Sequence, residues 1–129
     1  MKENVIVDKT YSFASRIVKL YKYVVAEHKE YVLSKQVLRS GTSIGANVEE
    51  AVAAASRADF VNKLTIAAKE ARETAYWLRL LHDNDYLPPL LFQSIYQDID
   101  EIKRIIGTIV ISARKPVPPA SAGSAQVDL

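Results

Sequence analysis

Four long stretches of this chain repeat their apolar residues at three- and four-residue steps, and very little interrupts them. The 129 residues include only 4 Gly and 5 Pro, and every proline lies at or beyond the end of one of these stretches. A repeat of this period places the apolar side chains on one face of an α-helix. Because proline breaks helices more strongly than any other residue, its positions leave room for long helices. We therefore predict an all-α fold.

The four predicted helices cover about residues 9–28, 31–55, 56–83 and 89–113. Asp8 is the predicted N-cap of the first helix, and Ser56, with Asp59 three residues later, has the spacing of a capping box for the third. Short loops make neighbouring helices antiparallel, so we predict an antiparallel up-down-up-down four-helix bundle over residues 1–114. Residues 115–129 are rich in Pro, Ala and Ser, and we predict a disordered tail there.

The apolar stripes of these helices define the predicted core. That of the first helix is Ala14, Ile17, Val18, Tyr21, Val24 and Val25. The stripe of the second helix includes Gly41, although glycine inside a helix costs roughly 1 kcal/mol relative to alanine. We interpret Gly41 as a point where two helices approach closely. The alternative is a break in the helix over residues 39–42.

A row of polar side chains runs beside the apolar stripe of the second helix. It is dominated by short hydrogen-bonding groups, whereas a solvated face is usually rich in Lys and Glu, so we favour a partly buried network between helices. The network residues, with their expected partners on the third helix, are Gln36, Arg39, Ser40, Ser43, Asn47, Glu50, Lys63, Glu70 and Glu73.

The expected partners follow from the hairpin formed by the second and third helices. If the chain reverses about Ser56, the numbers of facing residues sum to about 113. The facing pairs are then Arg39–Glu73, Ser43–Glu70 and Glu50–Lys63. We expect Arg39 to bind Glu73, and Ser43 and Asn47 to complete the hydrogen bonds.

Several large apolar side chains lie off the predicted core stripes of the third and fourth helices. Tryptophan and tyrosine are enriched at subunit interfaces, although a tryptophan also commonly covers the edge of its own core. We favour a homo-oligomer interface, whose candidate residues are Tyr76, Trp77, Leu80, Ile105, Val110 and Ile111.

The chain shows no complete set of catalytic residues. It has no cysteine, which excludes disulfides, thiolate metal sites and cysteine nucleophiles. The pairs Glu70–Glu73 and Asp98–Glu101 have the spacing with which carboxylates hold Mg²⁺ against nucleotide phosphates, as in all-α nucleotide pyrophosphatases. Such pairs are frequent on helix surfaces, so this is a minor alternative. We predict no catalytic residue, no cofactor and no metal ligand.

The net charge of +2 permits an RNA partner without arguing for one. The basic residues that we consider for phosphate contacts are Arg16, Lys19, Lys22, Lys103 and Arg104. Charge on the outside of a bundle usually serves solubility, so the signal is weak. The apolar runs are too short to span a bilayer, and the lack of cysteine fits a reducing compartment. We expect a cytoplasmic protein with no membrane partner.

The run QVLRSGTSIGANVEEA at residues 36–51 resembles the signature of the S23 family, named for a protein encoded in intervening sequences of bacterial 23S rRNA genes. The similarity continues through residues 59–60, 66–67 and 70–78, and covers about residues 5–112. The resemblance implies a four-helix bundle that assembles as a ring-like homopentamer, without known catalysis and with RNA or ribosomal association. A distant relative is the pentameric accessory protein of diversity-generating retroelements, which works with a reverse transcriptase and nucleic acid.

From the residues and the resemblance together, we expect a non-enzymatic homo-oligomer that accompanies rRNA or another nucleic acid. One alternative is a protein-interaction scaffold without nucleic acid. The other is a Mg²⁺-dependent nucleotide pyrophosphatase.

Overall fold

The computed structural model describes residues 2–116, with side chains from residue 5 onward. Its four α-helices are α1 (Lys2–His28), α2 (Leu33–Val52), α3 (Arg57–Asp83) and α4 (Pro89–Arg114). The tail predicted for residues 115–129 lies outside the described residues from residue 117 onward. No helix in the described part of the chain is both long and apolar enough to cross a membrane.

Each helix packs against its neighbours in sequence, and α1 closes the ring of four against α4. The ion pairs Lys9–Glu101 and Arg16–Asp98 show the direction of that closure, because the later residue of α1 meets the earlier residue of α4. The predicted antiparallel up-down-up-down bundle is therefore confirmed. Contact is most extensive between α2 and α3 and least extensive between α1 and α4.

The core is formed by one apolar row from each helix, and most of its side chains are aliphatic. Complete burial of a Leu, Ile or Phe side chain contributes about 1.5–3 kcal/mol. The largest fully buried side chains include Phe13, Ile17, Ile44, Leu64, Leu78, Ile95, Ile99 and Ile106. On α3 the row also contains three small residues, Ala67, Ala71 and Ala75, which are at most 3% exposed.

The first helix begins earlier than we predicted. It starts at Lys2, so Asp8 is an exposed residue within α1 and not its N-cap. The reason is Ile6, which is buried and extends the apolar row by one more turn towards the N-terminus. The row itself is also rotated from the predicted one, since its members are Ile6, Thr10, Phe13, Ile17, Leu20 and Val24.

Gly41 is a point of close helix approach, as predicted, and α2 runs unbroken through it. A Cβ atom built on Gly41 would lie 2.8 Å from Cγ1 and 2.9 Å from Cγ2 of Ile17 on α1. Gly45, one turn further, would place its Cβ 3.3 Å from the backbone oxygen and hydroxyl of Thr10. The two glycines therefore set the spacing between α1 and α2.

The first turn of α2 is capped by a glutamate from the preceding loop. The carboxylate of Glu30 accepts hydrogen bonds from the backbone N–H groups of Val32, Leu33 and Ser34 at 3.0, 2.9 and 2.8 Å. Partial burial would raise the pKa of Glu30, but these hydrogen bonds outweigh it and hold the pKa below its usual range. A negative charge at a helix N-terminus also interacts favourably with the helix dipole.

We expect Glu30→Gln to lower the free energy of unfolding at pH 7 by about 0.5–1 kcal/mol. Because the folded state lowers the pKa of Glu30, the charge stabilises the fold above the unfolded pKa. That contribution is lost as the pH falls through the folded pKa, so the difference between variant and wild type should shrink as the pH is lowered from 7 into the acid range. Urea unfolding over a pH series measures it. Glu27→Gln, at an exposed position on α1, is the control and should show no such difference.

The α2–α3 turn and the start of α4 follow their sequence signals. Ser56 is the N-cap of α3, and its hydroxyl accepts a hydrogen bond from the backbone N–H of Asp59 at 3.1 Å, as the capping-box spacing predicts. Pro89 occupies the first turn of α4, where a missing N–H costs no helical hydrogen bond.

Candidate functional site

The polar row of α2 meets α3 in a small charged cluster. The guanidinium of Arg39 donates to both Glu73 and Glu70, the latter at 3.3 Å. Glu73 also accepts a hydrogen bond of 3.0 Å from the indole N–H of Trp77, one turn further along α3. The predicted pairing of Arg39 with Glu73 is therefore present, and it fixes the register of the α2–α3 hairpin.

A buried hydroxyl pair lies beside this cluster. Thr74 donates to the hydroxyl of Ser40 at 2.9 Å, and both side chains are fully buried. The numbers of this pair sum to 114, which agrees with the predicted register. Buried hydroxyl groups are costly unless they are hydrogen-bonded, so the pair favours this register over its neighbours.

The rest of the predicted network does not cross between the helices. The Ser43 hydroxyl donates to the backbone oxygen of Arg39 at 2.6 Å, and the Asn47 amide donates to that of Ser43 at 2.9 Å. Both side chains thus bond within α2, where Ser and Asn commonly satisfy themselves on the preceding turn. No ion pair joins Glu50 to Lys63 in the described residues. The expectation that Ser43 and Asn47 complete the interhelical hydrogen bonds was wrong.

The cluster is more exposed than a buried network would be. The Arg39 side chain is 49% exposed, whereas the side chains of Glu70 and Glu73 are 16% and 30% exposed. Solvent screens a half-exposed pair, so its strength lies well below that of a buried one. Gln36, the remaining member of the predicted row, is half-buried.

We expect Arg39→Ala to lower the free energy of unfolding by about 1–2 kcal/mol, less than the 3–5 kcal/mol that breaking a buried pair costs. The loss arises mainly because Glu70, the least exposed carboxylate, is left without a cation. Arg39→Met should recover part of it by keeping the packing of the side-chain stem. Arg79→Ala, at an exposed position of α3, is the control and should change stability by less than about 0.5 kcal/mol. Equal losses at the two arginines would contradict this account.

The carboxylates considered for magnesium do not converge. Glu70 and Glu73 face α2, whereas Asp98 and Glu101 face α1 on the opposite side of the bundle. Asp98 binds Arg16 at 2.6 Å, and Glu101 binds Lys9 at 3.1 Å. Across the residues whose side chains are described, no group of three His, Asp or Glu side chains is placed to hold a metal ion. The geometry gives the pyrophosphatase alternative no support.

The six apolar residues considered for an oligomer interface do not form one patch. Val110 is only 8% exposed and belongs to the core, while Trp77 and Ile105 pack against the core as partly buried side chains. Tyr76 and Ile111 remain exposed, at 48% and 66%. Leu80 is half-buried. The structure corrects our prediction for Val110, because a side chain that is 8% exposed offers almost no surface to a partner subunit.

The basic side chains considered for RNA are divided between two regions. On α1, Arg16 is held by Asp98 and by a 3.1 Å hydrogen bond to Ser94, while Lys19 and Lys22 are exposed. The α4 candidates, Lys103 and Arg104, lie instead beside the basic residues of α3.

A basic face, which we define by its six cations, crosses the seam between α3 and α4. The register of the seam is set by a 3.2 Å hydrogen bond from Arg114 to Thr65 and by the stacked rings of His82 and Phe92, 4.1 Å apart. Residues on the adjoining sides of the two helices then fall on one surface. The six cations are Lys69, Arg72 and Arg79 of α3 and Lys103, Arg104 and Arg114 of α4; Lys103 is half-buried and the other five are exposed.

Few acidic groups balance this basic face. Within residues 5–116, Lys103 is its one member in an ion pair, with Asp100 at 3.5 Å. Arg79 lies over the ring of Tyr76, 5.9 Å from its centroid. The face therefore carries a local excess of positive charge, although the whole chain has a net charge of only +2.

A groove of about 340 Å³ runs along the basic face between α3 and α4. Its lining includes Arg72 and Arg114, the apolar side chains of Ala68 and Ile111, and Gly107. A Cβ built on Gly107 would meet no atom within 4 Å, so this glycine leaves open space where Gly41 has none. No acidic side chain lines the groove.

Four cations of the basic face were missing from our sequence prediction, namely Lys69, Arg72, Arg79 and Arg114. The signal was present, since residues 65, 69, 72, 76 and 79 follow the helical period, as do 104, 107, 111 and 114. For the turn at Ser56 we paired facing residues by their distance from the turn. The same procedure at the turn before Pro89 places the basic row of α3 beside that of α4.

The family profile described as 23S rRNA-intervening sequence protein matches residues 2–108 of the chain. The chain belongs to this family. A solved structure from Bacteroides thetaiotaomicron, described as a protein of unknown function from the S23 ribosomal protein family, is 56% identical in sequence, with a TM-score of 0.84. The match covers 86% of this chain and 99% of that one. A search of curated proteins finds no match. The predicted membership in the 23S rRNA-intervening sequence protein family is thus confirmed.

Proposed function

We propose that this chain is a non-enzymatic accessory protein that assembles as a homopentamer and associates with RNA. The observation that carries the RNA association is the basic face, where five of six cations have no acidic partner in the described residues. Phosphates that replace condensed counterions on such a face gain affinity from the release of those ions. The name of the family, which refers to 23S rRNA, supports the same class of partner.

Assembly into a ring would multiply a weak electrostatic contact. A single bundle offers only a few phosphate contacts. When several copies are joined in a ring, binding of one copy to a long RNA raises the effective concentration of the other copies near the same RNA. Light scattering should therefore return a mass about five times the 14.4 kDa of one chain. A monomer mass at micromolar concentration would remove the oligomer from this proposal.

The proposed lack of catalysis rests on how the candidate carboxylates are engaged. Each of the four acidic groups that might have served a metal-dependent hydrolase binds an Arg or Lys side chain. We also infer a cytoplasmic location, where a protein of this kind would meet ribosomal RNA.

The test of RNA association is a binding titration over a salt series. Fluorescence anisotropy with labelled fragments of 23S rRNA should show binding at low salt. The logarithm of the binding constant should fall linearly with the logarithm of the salt concentration, with a slope of about −0.7 to −0.9 for each phosphate neutralised. Absence of binding at low salt would reject the RNA partner and leave a protein-interaction scaffold. The exposed Val32 and Leu90 side chains would then be the first candidates for contact with a protein.

A further inference from the structure

We infer that the basic face binds single-stranded RNA, with phosphates against Arg72 and Arg114 in the groove between α3 and α4 and a base against Tyr76, one turn of α3 beyond the groove. The inference rests on the proposed RNA association and names the place and the strand type. If RNA instead bound to charge spread evenly around the bundle, Lys19 and Lys22 on α1 would contribute equally to the affinity.

The groove suits a phosphate chain because of its two arginines and its glycine. Arg72 and Arg114 line the groove, and each presents a planar group of N–H donors that matches a phosphate in two-point hydrogen bonding. Gly107 removes the side chain that would otherwise fill the space between the helices. The sugar-phosphate backbone of RNA can therefore approach α4 closely at Gly107, where a larger side chain would hold it away.

Tyr76 suits an unpaired base. Its side chain is 48% exposed and lies on the same row of α3 as Arg72 and Arg79. The indole of Trp77 packs edge-on against it, with the centroids 5.0 Å apart and the planes at 74°, and so helps to hold the ring. Exposed aromatic rings interleaved with cations are the usual platform for single strands, because stacked bases in a duplex have no free face.

The length of the cation row on α3 fits a short segment of single-stranded RNA. Arg79 lies ten residues after Lys69, so the row extends for about 15 Å at the rise of an α-helix. A stacked strand advances roughly 3.4 Å per nucleotide, so about four nucleotides would lie along the row. An acidic peptide would also be attracted to the charge, but it would gain nothing specific from an exposed tyrosine.

The sharpest test compares Gly107→Glu with Gly107→Gln in the full chain. The two side chains have nearly the same size and enter open space, so both variants should fold, and only one brings a negative charge into the groove. We expect Glu to weaken binding of a single-stranded RNA by at least about tenfold at low salt, and Gln by less than about threefold. Ala46→Glu, an exposed position on α2, changes the net charge equally and should leave the affinity within about twofold of wild type.

A second comparison tests the base contact. Tyr76→Ala should weaken the binding of single-stranded RNA by about 5- to 100-fold, and the binding of duplex RNA of the same length much less. Tyr11→Ala, at an exposed tyrosine on α1, should change neither affinity.

If the wild type binds RNA but Gly107→Glu does not weaken this binding, RNA binds elsewhere, and the groove inference fails while the proposed function stands. Equal weakening by Glu and Gln would overturn the phosphate contact, because it would show that the size of the side chain and not its charge affects RNA binding. If wild type binds no RNA, both fail together.

Discussion

Replacing Gly41 with alanine should lower the free energy of unfolding by about 1–2 kcal/mol, although the same change in an isolated helix would raise it. The new methyl group would stand within 3 Å of the Ile17 side chain. Ile17 is fully buried and branched at Cβ, so it has few rotamers with which to move aside. The cost of this overlap exceeds the roughly 1 kcal/mol that alanine gains in helix propensity.

Gly107→Ala is the matched control, because it also lies within a long helix but its Cβ would meet nothing. We expect this variant to be more stable than wild type by up to about 1 kcal/mol. Urea unfolding of both variants at one protein concentration measures the difference. The account of the α1–α2 seam fails if the two changes shift the unfolding midpoint in the same direction.

The second large effect is expected at Trp77. Trp77→Ala should lower the free energy of unfolding by about 2–3 kcal/mol, below the 3–5 kcal/mol of a fully buried tryptophan because this one is only partly buried. Trp77→Phe should keep most of the packing and lose about 1 kcal/mol, since the hydrogen bond to Glu73 disappears.

The same variant distinguishes the two interpretations of Trp77 that the sequence leaves open. If the indole covers the edge of its own core, Trp77→Ala lowers stability at every protein concentration and the oligomer mass is unchanged. If the indole lies at a subunit interface, the variant dissociates on dilution while the monomer keeps its stability. Light scattering and unfolding at two protein concentrations separate these outcomes. The packing and the hydrogen bond to Glu73 favour the first.

The sequence predicted the helices well where the periodic signal is long and its ends are marked. The start of α3 agrees to one residue because Ser56 is a capping residue at a sharp turn. The start of α1 does not, since Asp8 looked like a cap and the buried Ile6 was overlooked. A cap residue is evidence for an end only where the apolar row also stops.

The candidate site was harder to predict than the fold, because it depends on exposure and on choices among side chains. The hairpin register placed Arg39 opposite Glu73, but numbers alone do not show that Arg39 is half-exposed. They also do not show whether Ser43 bonds across the seam or to its own helix. A serine can satisfy its hydroxyl in either way.

The seam between α1 and α4 has the least extensive contact in the bundle, and its place in the chain affects how the protein folds. The contacts α1–α2, α2–α3 and α3–α4 join neighbours in sequence, so each hairpin closes a short loop at small entropic cost. Among the described residues, only the α1–α4 seam joins helices that are distant in the chain, and ion pairs cross it at Lys9–Glu101 and Arg16–Asp98. We therefore expect its formation to be the slow, non-local step of folding, and we expect added salt to retard that step by screening these pairs.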